Sequence, residues 1–534
     1  MSSSLSSPMM QFLLALPALL AAMKANAGAA SPIKEYTLDI VNGPVSPDGF
    51  TRIGVLANGT FPGPPMLVTK GDTLRVTVNN KLTDNSMRLS TSIDFDGIFT
   101  NTDNVFNEGS PFVTTCPFGP GASYTYEVPL GNQTGSYWYH SQLSVQYADG
   151  LRGVVVIYDP EDAQAHLYDV DDESTIWTVA DWWHNTSVSG LAGYLATQII
   201  PVADSGLFNA AGRYNTGPLT PYAVQTVTKG TRYRFRIINI SARSDFTISI
   251  DNHTMTVIET DGTPTSPLEV NVLDVLVGQR YSVVVTADQP IGNYWINSIL
   301  GGGNPAHNSN LNVTLGRGIL RYEGAPAVEP SGPMTLGPAV PNALVESNLH
   351  PLVPIPAPEP DYNLTFVTNM PAGQTVWQIN GIAYISPVVP TLVKILDGAS
   401  TDADFNQTEN TFVFPANKVI QVTFPPDPAN ELHPFHLHGN NFWVVKSNAT
   451  ETINTVDPIR RDVAGTASGG MILRFTTDKP GPWFFHCHIF YHFVAGLGSV
   501  IVGGPDEIRQ QVHPTEGWDA LCPAYNALPA NEQR

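Results

Sequence analysis

Gly135-Ser-Tyr-Trp-Tyr139 sets a glycine ahead of a run of aromatic, strand-prone residues. The same device returns at Gly292-Asn-Tyr-Trp295 and at Gly481-Pro-Trp-Phe484. The intervals are about 160 to 190 residues, a spacing that points to one structural unit repeated three times. Around these cues the chain keeps a period of two. Thr73-Leu-Arg-Val-Thr-Val-Asn79, Arg232-Tyr-Arg-Phe-Arg-Ile238 and Tyr281-Ser-Val-Val-Val-Thr286 alternate in the way of strands that turn one face to a core. Turn residues separate such runs, and long amphipathic helical patterns are nearly absent. Composition agrees. Among 534 residues there are 45 glycines and 45 prolines, and only 14% of residues are charged. A helical protein uses more Lys, Glu and Arg and fewer helix breakers. The expectation is an all-β chain of three Greek-key β-sandwiches, each of ~100 residues or more.

The start of the chain has a different character. Phe12 to Met23 is a short apolar run, followed by Ala25-Asn26-Ala27, an Ala-x-Ala pattern. This reads as a secretory signal over residues 1–30, cleaved between Ala27 and Ala30. Nine Asn-x-Ser/Thr sites, at Asn58, Asn132, Asn185, Asn239, Asn252, Asn312, Asn363, Asn406 and Asn448, point the same way and suggest a secreted glycoprotein. A stretch with ten prolines from Pro326 to Pro360 reads as an extended linker. The domains expected are then 31–160, 161–325 and 361–534, with 326–360 joining the last two. The net charge of −21 disfavours nucleic acid and acidic membrane surfaces as partners. No later run is long and apolar enough to span a bilayer. Three cysteines exclude a disulfide-built scaffold and leave one thiol over if two of them pair.

Six of the thirteen histidines fall in two short windows, His433-Pro-Phe-His436-Leu-His438-Gly439 and His486-Cys487-His488-Ile-Phe-Tyr-His492. Side chains alternate between the faces of a strand. His436 and His438 therefore share a face, as do His486 and His488, while Cys487 points the other way. Cys487 can join His433 and His492 in a His₂Cys set, the donor set of blue-copper centres. The other four histidines face a second site. Zinc is a possible occupant of individual pairs, although one Cys flanked by two His is less typical of it.

These motifs resemble those of fungal laccases of the multicopper oxidase family. The resemblance covers essentially the whole mature chain. It includes His433-Pro-Phe-His-Leu-His-Gly439, Gly481-Pro-Trp-Phe-Phe-His-Cys-His488, Gln146-Tyr-Ala-Asp-Gly-Leu-Arg-Gly153, Ala287-Asp-Gln-Pro-Ile-Gly-Asn-Tyr-Trp295 and Leu521-Cys-Pro523. It implies three cupredoxin domains and a copper enzyme that oxidises phenols or similar donors at a type 1 copper. Electrons then pass to a trinuclear copper cluster where dioxygen is reduced to water. By position, His433, Cys487 and His492 resemble type 1 ligands, with Leu497 at the axial position. A non-coordinating axial side chain favours a high potential. His436, His438, His486 and His488 resemble cluster ligands, the last two lying on the electron route through Cys487. Cys116 and Cys522 match a family disulfide.

The chain departs from the family pattern in its first third. Where the family has His-x-His-Gly, it has Asp94-Phe95-Asp96-Gly97; where the family has His-x-His, it has His140-Ser141-Gln142. Three of eight cluster histidines are replaced. Two readings of Asp94 and Asp96 stand beside a working cluster: solvated polar residues left after its loss, or ligands of a repurposed one- or two-ion site for copper, iron, manganese or zinc. Phe490 stands where the family has an acid between Cys and the last His. Arg243 stands where laccases have an acid that helps bind the phenol, and is either a donor-site cation or a solvated loop charge. Glu108 lies near the place of a cluster-side acid. The family's second disulfide would join positions 148 and 242, both Ala here.

The function expected is a secreted, laccase-like copper oxidoreductase. It takes electrons from a small aromatic or metal-ion donor at the type 1 site, with impaired or altered reduction of O2. The alternatives are a blue-copper electron carrier or copper-binding protein without oxidase activity, an enzyme using the Asp/His site with another metal, and a structural role without chemistry.

Overall fold

A computed structural model describes residues 31–331 and 342–533. The signal-peptide reading over residues 1–30 lies outside the described residues. The chain folds into three β-sandwiches in sequence, each made of two principal sheets. In the first, Ile33–Val45 pairs in parallel with Thr73–Asn80, and Ser123–Pro129 closes that sheet. Thr73–Asn80 shows why the alternation matters. Leu74, Val76 and Val78 are buried, each worth about 1.5–3 kcal/mol of hydrophobic burial. On the other face Arg75 meets Glu35 and Glu127 in solvent-facing ion pairs.

The second sheet of this unit carries the short strand Asp94–Asp96 on the edge of Gly135–His140, with Asp94 opposite His140 and Asp96 opposite Trp138. The third unit repeats the arrangement with His433–Leu437 beside Gly481–Cys487. There His436 stands opposite His486 and Phe435 opposite Cys487. Both aromatic strands that follow the repeated glycine are wholly buried.

The structure differs from the simple alternation in the middle unit. On the strand Arg232–Asn239 the period-two pattern predicts a solvent-facing row of arginines. Arg234 and Arg236 are instead buried. They pair with Asp162, Asp171 and Glu259, because this face packs against neighbouring chain rather than water. A helix absent from the sequence reading, Ser187–Thr197, starts where the Thr186 hydroxyl accepts from the Ser189 N–H. The described part of the Pro-rich segment is docked rather than a free spacer. Ala343 and Pro351 bridge to Val272 and Thr265, and the Ile355 carbonyl accepts from the Trp443 indole at 2.9 Å. Asn239 is buried, and its amide donates to the carbonyls of Ser244 and Val275. A glycan cannot be carried there, so this one of the nine sequons is structural. Cys116 and Cys522 form a disulfide that ties the first unit to the C-terminal helix Leu521–Asn526.

The three units are locked by one buried charge network. Arg280 donates to both carboxylate oxygens of Asp462, at 2.7 and 3.0 Å, and to the Ser136 carbonyl at 2.9 Å. Arg461 pairs with Asp261 at 2.9 Å and with Glu346 at 2.7 Å. One arginine of the second unit therefore touches the first and the third. Removing one member of such a network strands the others without water. Arg280→Met is expected to cost about 3–5 kcal/mol, read as a lower urea midpoint. An unchanged midpoint would show that the network is not what locks the units.

Candidate metal centres

The register of the two histidine strands builds two groups of side chains, back to back. On one side His433 Nδ1 and His492 Nδ1 face each other at 3.1 Å, and Cys487 Sγ lies 3.8 and 3.7 Å from them. All three residues are buried. His433 comes from the strand, Cys487 from the end of its neighbour, and His492 from the short helix Phe490–Val494. Leu497 is fully buried beside them. It accepts from the Cys487 N–H at 3.1 Å and donates to the His492 carbonyl at 2.9 Å.

Burial pushes the Cys487 thiol up, with the Glu431 charge adding to it. Burial and then the neighbouring His492 push His433 down to about 3. Two imidazole lone pairs and a sulfur that converge in an apolar pocket fit one soft transition-metal ion. A triangle of this size lets a single ion reach all three atoms at bond lengths of about 2.0–2.3 Å.

On the other side lie His436, His438, His486 and His488 from the third unit. Asp94, Asp96, His140, Gln142 and Glu108 from the first unit face them, and all are buried. Asp96 is the hub. Its Oδ2 lies 2.8 Å from His488 Nε2 and 3.4 Å from His140 Nε2, and its Oδ1 lies 3.3 Å from His436 Nε2. Asp94 Oδ1 sits 3.8 Å from His438 Nδ1. Gln142 donates from its amide to His486 Nε2 at 3.2 Å, and His438 Nε2 is 2.9 Å from the same nitrogen. Glu108 grips His438 Nδ1 and is itself held by the Ser110 N–H and the Thr114 hydroxyl, both at 2.9 Å.

The backbone orients the rings. Nδ1 of His436, His486 and His140 faces the carbonyls of Asp462, Cys487 and Ser141 at 2.9, 3.0 and 3.0 Å. This aims Nε2 of each inward. Asp94 and Asp96 are therefore not solvated remnants. Burial and then the charges of Glu108 and Asp96 hold Asp94 well above the usual carboxylate range. Burial opposes ionisation of Asp96 too, but the neighbouring His436, His140 and His488 outweigh it and hold Asp96 well below that range.

The two sites are joined through the backbone. Cys487 of the first lies between His486 and His488 of the second, and the carbonyl of Cys487 accepts from one of those rings.

Arg243 is likewise not a solvated loop charge; it is buried, and its guanidinium donates to the Gly302 carbonyl at 2.7 Å. The loop it sits on is pinned because Asp181 accepts from the N–H groups of Ala242, Arg243 and Ser244. Arg243 lines a cavity of about 460 Å³ together with Asp245, Glu431, Leu432, Pro434 and Ile489. Glu431 connects that cavity to the first site, its Oε1 lying 3.4 Å from His492 Nε2. Phe490 packs against Tyr491 and Tyr147 and bears no charge toward the site. The Tyr147 hydroxyl donates to the Ala242 carbonyl at 3.3 Å, so the segments around positions 148 and 242 are in contact although both positions are Ala.

Sequence reasoning missed three residues here. Glu431 precedes His433 by two positions, and an acid so close to the histidine window was the available signal. Trp377, whose ring lies 4.7 Å from His433 and 4.6 Å from His492, is too far upstream for spacing to find. Asp462 orients His436 through its carbonyl and holds Arg280 through its carboxylate.

Three sandwiches with a His₂Cys group beside a histidine-rich group define a multicopper oxidase. Family models described as multicopper oxidase match residues 39–162, 173–325 and 384–507, and the chain belongs to that family. It is thus a copper oxidoreductase. It is 44% identical to Laccase-2 of Agaricus bisporus over 504 residues, 93% of this chain and 95% of that one. It is 42% identical to Laccase-4 of Trametes villosa over 516 residues, covering 94% and 96%. The laccase of Botrytis aclada has the same fold, with a TM-score of 0.81 at 28% identity and 94% of each chain covered.

The depressed His433 has a consequence for the copper-free protein. An unfolded imidazole titrates near 6.5, while the folded His433 stays neutral to about 3. The unfolded state takes up a proton that the folded state refuses. Stability is therefore complete above about pH 6.5 and falls as the pH drops below it, by up to about 1.4 kcal/mol per pH unit for this residue. Urea midpoints between pH 7 and pH 5 should fall less steeply in His433→Phe than in the parent. Equal slopes would show that His433 protonates in the folded state.

Proposed function

We propose that this protein is a secreted, laccase-like oxidase that draws single electrons from small phenolic donors at a type 1 copper held by His433, Cys487 and His492. Its reduction of dioxygen is impaired. The observation that carries the reading is the convergence of Cys487 Sγ with two imidazole nitrogens within 3.8 Å, next to a donor-sized cavity. Copper bound there supplies the one-electron oxidant. The chain's own residues do the rest. Leu497 would keep the pocket around the bound ion apolar, Trp377 covers the imidazoles, and His486 and His488 flank Cys487 as the onward route.

At the donor cavity, Glu431 accepts a hydrogen bond from a phenolic hydroxyl and orients it toward His492. Arg243 takes the place of the acid that laccases use. A cation there cannot accept the phenol proton, which leaves that role to Glu431 in the same cavity.

The second cluster supports impairment. Four-electron reduction of dioxygen needs three coupled coppers. Asp94, Asp96 and Gln142 offer two carboxylates and a neutral amide where imidazoles suit copper. The donor set does not fit that cluster. A blue-copper carrier without oxidase activity is the second reading, favoured by the same three residues.

Export is supported by the apolar run Phe12 to Met23 and by the sequons other than Asn239. Domain limits near residues 160 and 325 fit the gaps between the family matches. Among the described residues no helix is long and apolar enough to cross a membrane.

Two measurements test the reading. Cys487→Ser is expected to lose the intense blue thiolate–copper absorption and all oxidation of a phenolic donor. A variant that stays blue sinks the assignment. The parent should take up oxygen slowly with that donor, and the triple change Asp94→His, Asp96→His, Gln142→His should raise the rate at least tenfold. If the triple variant folds, fills with copper and gains nothing, ligand replacement is not the limiting defect.

A further inference from the structure

Three groups of converging ligands lie in the second cluster, Asp96 with His140 and His488, Asp96 with His436 and His438, and Asp94 with Glu108 and His438, and only the first does without His438. Asp96 Oδ2, His140 Nε2 and His488 Nε2 lie within 4.8 Å of one another on buried side chains. Several buried atoms in and around this group have no hydrogen-bond partner among the described residues: His140 Nε2, His436 Nε2, Asp96 Oδ1 and Asp94 Oδ2. Protein interiors seldom leave one polar atom unsatisfied, and a group of them converging on one spot marks a position that a cation completes. The His140 ring is already set for the task, because the Ser141 carbonyl faces Nδ1 and leaves the Nε2 lone pair directed at Asp96.

His438 and His486 are engaged elsewhere, while His436 Nε2 stands 3.3 Å from Asp96 Oδ1 at the edge of the set. His486 Nε2 takes the Gln142 amide, and His438 is clamped by Glu108 and lies 2.9 Å from His486. A carboxamide N–H cannot ligate, so the position between Gln142, His438 and His486 is filled by protein.

We propose that Asp96, His140 and His488 bind a single divalent first-row cation through two histidines and one carboxylate, in place of three coupled coppers. This ligand set is the one used by non-haem iron(II) sites and by catalytic zinc sites. A carboxylate at its centre admits zinc, iron(II) or manganese as well as copper(II). The inference rests on reading the second cluster as incomplete, and it is independent of which donor the first site oxidises. Access is present. A cavity of about 230 Å³, lined by Phe112, Leu143, Tyr384 and Phe493, reaches Gln142 and Ser110 at the cluster's edge.

The test counts ions by element in the full-length protein. One molar equivalent of copper(I), which prefers the soft thiolate of the first site, is loaded and oxidised, and zinc(II) is then added and the excess removed. Two ions per chain are expected, one copper and one zinc, with the blue absorption intact. Asp96→Leu and, as a second variant, His140→Phe should each hold one copper, stay blue and lose the zinc. Gln142→Ala should still hold two. Blue absorption is the internal check that each variant is folded.

In the metal-stripped protein, zinc should raise the thermal midpoint of the parent and leave that of Asp96→Leu unmoved. Three or four ions in the parent, or zinc retained by both variants, would overturn the single-ion site. A colourless parent that still binds one zinc lost by Asp96→Leu supports it, while removing the type 1 assignment instead.

Discussion

His436 stands opposite His486 in an antiparallel ladder, and most of the functional structure depends on that register. It places Phe435 opposite Cys487, so His433 and the thiol share one face while four histidines share the other. A shift of one residue would turn every side chain to the wrong face. Burial holds the register, because Phe435, Leu437, Phe484 and Phe485 are all core residues. Two centres of different chemistry are thus fixed by a single pairing of strands.

The second half of the cluster comes from far away in sequence. Asp94 stands opposite His140 in the first sandwich, and the contact from Asp96 to His488 crosses between units. Such a site exists only if the units are held without play. Arg280, Asp462, Asp261 and Arg461 supply that rigidity as buried, paired ions. Asp462 belongs to both systems, since its carbonyl orients His436 and its carboxylate holds Arg280. Interdomain locking and ligand orientation are therefore one arrangement. The loss of a family disulfide at positions 148 and 242 is tolerable in this setting. Tyr147 joins the two segments by a hydrogen bond, and Arg152 and Asp181 add a buried ion pair between them.

The His₂Cys group is flanked by two other buried surfaces. The cavity beside His492 holds a cation, Arg243, and an acid, Glu431. The second cluster sets two aspartates, Asp94 and Asp96, and the amide of Gln142 among its histidines. These side chains are buried, with Asp96 beside three histidines and Gln142 bonded to one.

The sequence by itself determined the all-β architecture, the three-fold repeat and the two histidine groups, because period-two alternation and strand spacing are local properties. It also flagged Asp94, Asp96, Gln142 and Arg243 as departures from a known pattern. Only the tertiary structure decided what those departures do. Whether Asp94 is solvated or buried beside Glu108, and whether Arg243 faces water or a cavity, depends on chain hundreds of residues away. The same limit hid Trp377 and Asp462, whose roles come from packing, and made Asn239 look like a glycan site. It also made the arginines of 232–236 look solvent-facing, although their partners, Asp162, Asp171 and Glu259, lie on other elements. Local pattern fixes which face a side chain takes, and long-range packing fixes what that face meets.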